Sequence, residues 1–257
     1  MDQNEKRIFL IQELLKENKA YRDVRIPADA AGQRQLLRGL MNVRIPHDIS
    51  EEFLRIQDSY LQEETEKKQI VDVDTLKPVQ RGIYIWQGDI TSLRCDAIVN
   101  AANSGMTGCY VPNHRCIDNC IHTFAGVQLR LDCAKIMKKQ GHEEPTGKAK
   151  ITSAYNLPCR YILHTVGPII GGRVTDRDCA LLASCYRSCL ELAAENELES
   201  VAFCCISTGE FHFPNDKAAK IAVDTVKKFL EQKTSVKKVI FNVFKDTDRD
   251  IYRELLG

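Results

Sequence analysis

The sequence predicts an α/β protein, a sheet sandwiched between helices and preceded by an all-helical N-terminal extension. Three observations carry this. From about residue 80 onward, short apolar runs alternate with helical patterns to the end of the chain, as in sheets covered by helices on both faces. Residues 1–78 show helical periodicity. A chain of 257 residues can also bury a sizeable core without staples. The expected division is an extension over residues 1–78 and a second domain over residues 79–257.

A first helix is expected from Glu5 to Glu17, with Ile8, Leu10, Ile11, Leu14 and Leu15 on one side. The tetrapeptide "VRIP" stands at Val24–Pro27 and again at Val43–Pro46, followed by the helical patterns "ADAAGQRQLLRGLMN" and "SEEFLRIQDSYLQEETEKK". Two short copies do not make a solenoid. Ser50 followed by Glu51 and Glu52 reads as a helix start, because a hydroxyl caps free amides and acids favour the positive helix end. The extension ends near Lys77–Pro78; its charged faces read as solvated and no chemistry is legible in it. Beyond it, "GIYIWQGDI" and "DAIVNAAN" read as strands, the second apolar as buried parallel strands are. A helix is expected from Cys116–Asp118 to Phe124. Two further strands are "AKITSAYNLP" and "RYILHTVGP"; then come a helix with Leu181, Cys185 and Cys189 on one face and the strand "SVAFCCIST". A helix aligning Ala219, Ala222, Val226 and Phe229, the strand "KKVIFNVF" and the helix "DRDIYRELL" finish the chain. Ligands of such folds bind beyond the carboxyl ends of the strands, here the loops after Gly88, Val99, Ile206 and Val243.

Composition narrows the function classes. Lysine plus arginine numbers 36 and aspartate plus glutamate 35, which argues against a generic nucleic-acid or membrane-surface binder. No apolar run approaches the roughly 18 residues of a membrane span, and "MDQNEKRIFLIQELLKEN" lacks the layout of a signal peptide. A cytoplasmic location is therefore expected. The 11 cysteines are then mostly small buried hydrophobes, apart from a local cluster at residues 109–120.

The loops after the strands carry the chemistry. Asp89 can accept from an exocyclic amine such as that of adenine, or cap a turn. Asn100 and Asn103, separated by alanines in "VNAANSG", suit a hydroxyl-rich ligand approaching closely. Ser207-Thr208-Gly209, followed by a helix after Pro214, offers backbone amides to phosphates or forms an ordinary strand-to-helix turn. It is neither a P-loop nor a dinucleotide fingerprint. Cys109, His114 and Cys116 have the spacing C-x4-H-x-C, three ligand types that can wrap one zinc ion. Cys120 and His122 are the candidates for a fourth ligand; with three ligands only, one position stays open, as in catalytic zinc. Asp118 is placed to take a proton beside a metal, to cap the next helix, or both.

Taken jointly, "QGDIT", "DAIVNAAN", "CIDNCIHTFAG", "TGKAKITSAYNLPCRYILHTVGP" and "CISTGEFHFP" resemble the macrodomain family, which binds ADP-ribose; the resemblance covers about residues 80–257. In place of the family's usual glycine-run loop stands "SGMTGCYVPNHRC", similar to the zinc-containing macrodomains of bacteria and fungi, which also carry a helical extension. The resemblance implies a mixed sheet between helices, with Asp89 and Ile90 at the adenine, Phe244 stacked on it, and Ser207, Thr208, Gly209, Glu210, Phe211, His212 and Phe213 at the diphosphate. It implies that Asn103 contacts the distal ribose, with Asn100 also at the ligand. Cys109, His114 and Cys116 would hold Zn2+ beside that ribose, Asp118 and Asn103 would be catalytic, and Cys120 and His122 would fall back to packing. It further implies removal of mono-ADP-ribose from proteins, a link to sirtuin-class transferases, and lipoyl-carrier proteins as substrates. Two other expectations stand beside the enzyme: a reader that binds ADP-ribose without cleaving it, and a metal-stabilised scaffold for other nucleotides or RNA. The lack of a basic excess argues against RNA.

Overall fold

The computed structural model describes residues 1–257. The N-terminal extension folds as α1 (Gln3–Lys16), α2 (Ala30–Val43) and α3 (Glu51–Glu66). Asp2 starts α1 with a reciprocal capping box to Glu5, and Ser50 Oγ accepts from Phe53 N to start α3, as its sequence indicates. The two "VRIP" copies flank α2, so they mark the entry and exit of one helix. The three helices enclose a small core around Leu10, Ile11, Leu37, Phe53 and Tyr60, which Val127 from beyond the extension joins. Polar pairs lock their angles: Arg7 donates to Gln33 Oε1 at 3.0 Å and Arg44 holds the Glu17 carboxylate from both Nε and Nη2. The extension is not wholly helical. Its last piece, β1 (Val71–Asp72), pairs in parallel with β3 (Leu93–Arg94) and stitches it to the rest of the chain.

The main sheet contains β2 (Ile83–Gln87), β4 (Ala97–Ala102), β5 (Ala149–Ser153), β6 (Tyr161–Val166), β7 (Ser200–Phe203) and β8 (Lys238–Val243). Their spatial order is β2-β8-β7-β4-β6-β5, all neighbours parallel except β5 against β6. Ile98, Val99, Ile162, Leu163, Val201, Val239 and Ile240 are buried, which explains why these strands read as apolar runs without alternation. The helices α4 (Ile117–Ala125), α5 (Val127–Gln140), α6 (Asp176–Glu195), α7 (Asn215–Leu230) and α8 (Asp246–Leu256) flank the sheet.

Helix α5 has no counterpart in the sequence reading. Its buried residues are Val127, Leu129, Arg130 and Cys133. A buried arginine in the middle of the inward face breaks the apolar stripe that would announce a helix. Gln57, fully buried on α3, donates to Gln128 and accepts from Val127 N, so the extension supplies part of the cap that starts α5. Because β2, β8, β7 and β4 run parallel, their carboxyl ends share one edge. The loops after Gln87, Ala102, Phe203 and Val243 therefore meet there.

Candidate active site

The turn after β2 places Asp89 at the start of a short 3-10 helix, Ile90–Ser92. Its Oδ1 accepts from Thr91 N at 2.9 Å and from Thr91 Oγ1 at 2.6 Å, so it is a cap. Its Oδ2 lies 3.3 Å from Lys68 Nζ, a residue of the extension that also sits over the Phe124 ring. Burial opposes the charge on Asp89, but Lys68 and Thr91 outweigh it and hold the carboxyl below its usual range. Ile90 is buried. Across the sheet edge, Phe244 follows β8 with 76% of its surface exposed, an open aromatic face of the kind that stacks on a flat ring.

The loop from Ser207 to Phe213 is wound tightly. Ser207 has φ 65° and His212 φ 56°, and Phe213 N donates back to Ser207 O at 2.9 Å. Phe213 is buried and anchors the loop, and Phe211 O accepts from Ile170 N. Thr208 bonds back to Cys205 O, while the amides of Gly209, Glu210 and Phe211 take no acceptor within the chain. Free amides at a loop crest beside the start of α7 suit an anion. Glu210 Oε1 reaches 3.5 Å from His114 Nε2 and so brings this loop against the cysteine-rich one.

The loop after β4 carries the densest chemistry. Cys109 Sγ, His114 and Cys116 Sγ lie within 4.8 Å of one another. Two donors on one tetrahedral zinc, bound at about 2.0–2.3 Å, stand about 3.6 Å apart. The separation of Cys109 Sγ and His114 Nδ1 is 3.5 Å, so the donor set fits a zinc ion. Cys116 is itself the N-cap of α4, with its sulfur accepting from Asn119 N at 3.4 Å. Burial pushes the Cys116 thiol up to about 12; a helix N-terminus favours thiolate, and a bound cation would deprotonate it outright. Cys120 and His122 stand outside the group. Cys120 Sγ faces Arg38 at 3.4 Å, and His122 is buried against Gly108.

Asp118 is not the cap. It is the second residue of α4, buried, and faces the end of β4: Asn100 Nδ2 donates to its Oδ1 at 2.8 Å and Asn103 Nδ2 to its Oδ2 at 3.2 Å. Burial, against these two donors and nearby Arg130, raises its pKa to about 6. Although His122 Nε2 lies 3.5 Å from Asp118 Oδ1, this is not an ion pair, because burial pushes the imidazole pKa far down and keeps it neutral. Asn100 is fully buried and spends its two amide hydrogens on Asp118 and on His164 Nδ1, so it stands behind Asp118 on the side of the sheet. Asn103 is half-exposed beside the loop and also ties Gly108 O. A second close group, His122, Cys133 and His164, is core. His164 Nδ1 accepts from Asn100 and its Nε2 faces Thr152 Oγ1 at 2.9 Å, which leaves no lone pair for a metal.

Sequence reasoning missed the residues that hold this loop in place. Asn119 bonds the Cys109 and Val111 carbonyls, Arg38 bonds the His114 carbonyl and Asn119 Oδ1, and Arg130 caps the end of α2. Gly108 has φ 86°, and a Cβ there would stand 2.8 Å from the His122 ring. Gly108→Ala is expected to lower the melting temperature, by about 1–3 kcal/mol of stability, as measured by thermal unfolding.

A family model for the Macro domain matches residues 99–222. A protein-ADP-ribose hydrolase of Treponema medium is 62% identical, with 100% of each chain covered. Another of that name from Staphylococcus aureus (strain MSSA476) is 50% identical, covering 96% of this chain and 93% of its own. This chain belongs to the macrodomain family. The crystal structure of the Trypanosoma brucei macrodomain in complex with ADP-ribose superposes with a TM-score of 0.67 at 31% identity, covering 86% of this chain and 95% of that one. The macrodomain sheet thus carries the Asp89 turn, the 207–213 amide loop and the loop of Cys109, His114 and Cys116 on one edge. No helix is long and apolar enough to cross a membrane.

Proposed function

We propose that this macrodomain is a zinc-dependent hydrolase that removes mono-ADP-ribose from modified proteins by cleavage at the anomeric carbon of the distal ribose. The observation that carries the reading is Asp118: a buried carboxyl with its pKa raised to about 6, gripped by Asn100 and Asn103, two residues from a metal ligand set. A general base works best with a pKa near the working pH. Relatives named protein-ADP-ribose hydrolase at 62% and 50% identity support the reaction class.

In this reading Asp89 accepts from the adenine amine, Ile90 packs below the ring and Phe244 stacks on it. The amides of Gly209, Glu210 and Phe211 take the diphosphate, with Ser207, Thr208, His212 and Phe213 shaping their loop. Asn103 orients the distal ribose while Asn100 fixes Asp118. Cys109, His114 and Cys116 would hold zinc, which supplies Lewis acidity beside the ribose. Asp118 takes a proton from the attacking water as the anomeric C–O bond breaks; the departing oxygen leaves with the protein side chain and is protonated from solvent. The link to a sirtuin-class transferase, a lipoyl-carrier substrate and a cytoplasmic location rest on the sequence reading alone.

The test is incubation with a labelled, automodified ADP-ribosyl protein, with and without a chelator. Release of free ADP-ribose that stops on chelation and returns with zinc is expected. Tight binding without release makes the protein a reader, and full release by metal-free protein removes zinc from the chemistry.

A further inference from the structure

The loop from Asn103 to Cys116 is thinly bonded within its own backbone. Between Asn103 and Cys116 it makes only two backbone bonds within itself, Met106 N to Asn103 O and His114 N to Val111 O. Met106 and Asn113 have φ of 62° and 57°. Asn103 ties Gly105 N and Gly108 O from within the loop, but the side chains that hold its 109–114 half come from elsewhere, and two come from α2 in the extension. Arg38 Nη2 donates to His114 O at 2.8 Å and to Asn119 Oδ1 at 3.0 Å, and Asn119 in turn donates to Val111 O at 3.0 Å. Arg38 therefore grips the ligand His114 directly and its turn through Asn119. Asn42 Oδ1 accepts from Asn113 N at 2.9 Å, and its Nδ2 donates to Thr123 Oγ1 on α4 at 2.8 Å.

Between them on the same helix, Gly39 leaves room for the loop: a Cβ there would come within 3.2 Å of Asn113 Nδ2. A glycine in the middle of a helix is unfavourable for the helix itself, and here it permits the close approach. The helix is fixed in turn by Arg130 Nη1, which donates to Asn42 O and Arg44 O at 2.7 Å each.

We propose that helix α2 is a working part of the metal centre, with Arg38 and Asn42 as positioning residues that preset the loop carrying Cys109, His114 and Cys116. This rests on the zinc reading above. Groups that orient metal ligands typically account for about 10–100-fold in metal affinity. Arg38 bonds His114 O, Asn119 and Cys120 but not Asp89 or the 207–213 loop. It meets them only at one remove, through the Phe124 ring it shares with Lys68 and through His114 beside Glu210, so ADP-ribose binding is expected to change far less than zinc binding.

The test uses the full-length protein as wild type, Arg38→Met and Arg38→Lys. Zinc affinity is measured by competition with a chromophoric chelator, ADP-ribose affinity by calorimetry, and turnover at saturating zinc. Arg38→Met is expected to bind zinc about 10–100-fold more weakly, with ADP-ribose affinity within about twofold and a fall in kcat rather than a rise in KM. Arg38→Lys keeps the charge, but both bonds come from the one terminal nitrogen Nη2, which the shorter lysine replaces with a more strongly hydrated, unfixed ammonium, so an intermediate loss is expected; it carries the test if Arg38→Met does not fold. Zinc held equally by wild type and either folded variant overturns the inference. Zinc not held even by wild type overturns the metal reading and this inference with it.

Discussion

An Asp118→Asn protein is expected to release ADP-ribose about 10²–10⁴-fold more slowly and yet to unfold no more easily than the parent at pH 8. The second half follows from linkage. The pKa of Asp118 in the fold is about 6, against an ordinary 3.8. A carboxyl raised in this way favours the fold fully below pH 4, and that contribution is lost as pH rises through 6. At pH 8 the buried charge costs on the order of 2–3 kcal/mol. A neutral amide removes that cost but leaves one of Asn100 and Asn103 without its acceptor, so the net gain is smaller. Thermal unfolding at pH 5 and pH 8, with single-turnover rates, measures both halves. The parent's turnover should climb with pH as Asp118 loses its proton and then level off, with the midpoint below about 6 once zinc is bound, because a nearby cation favours the carboxylate. Unchanged turnover in a folded Asp118→Asn protein would reduce the carboxyl to a structural role.

Replacing a metal ligand should have the other large effect, and here the cap geometry supplies a control. Cys116 is both a ligand candidate and the N-cap of α4, so Cys116→Ala confounds lost metal with a frayed helix. Cys116→Ser separates them: serine is among the preferred caps, but its hydroxyl does not replace a thiolate on zinc. The Ser variant should melt within about 2 °C of metal-free parent and lose zinc by more than the about 10–100-fold expected for an outer contact. It should lose cleavage and keep most of its ADP-ribose affinity, since Asp89, Phe244 and the 207–213 loop are untouched. His114→Ala should match it in zinc and cleavage without touching the cap, though it also removes the contact with Glu210 of the 207–213 loop. Zinc stoichiometry by mass spectrometry and calorimetric binding check both.

What could be read in the sequence depended on the range of the interaction. The strands around Ile98, Leu163, Val201 and Ile240 were legible because burial on both faces makes them continuous apolar runs. The C-x4-H-x-C spacing was legible because all three residues lie within one loop. Helix α5 was not, since buried Arg130 interrupts its inward face. Nor was the role of the extension. Arg38 meets Asn119 across 81 residues of sequence, and Lys68 meets Asp89 across 21; no local pattern distinguishes these cations from solvated ones. Asp118 stands next to the Cys109–Cys116 loop by its place in the sequence, but its partners Asn100 and Asn103 depend on how α4 is set over the end of β4.

One turn at the start of α4 holds Cys116, Asp118 and Asn119, each aimed at a different neighbour: Cys109 and His114, the end of β4, and the carbonyls of the 109–111 segment. Successive residues of a helix point about 100° apart, so these three directions are fixed by spacing alone. A single inserted or deleted residue here would rotate all three at once. Over evolutionary time, then, this turn should be inherited as an indivisible block.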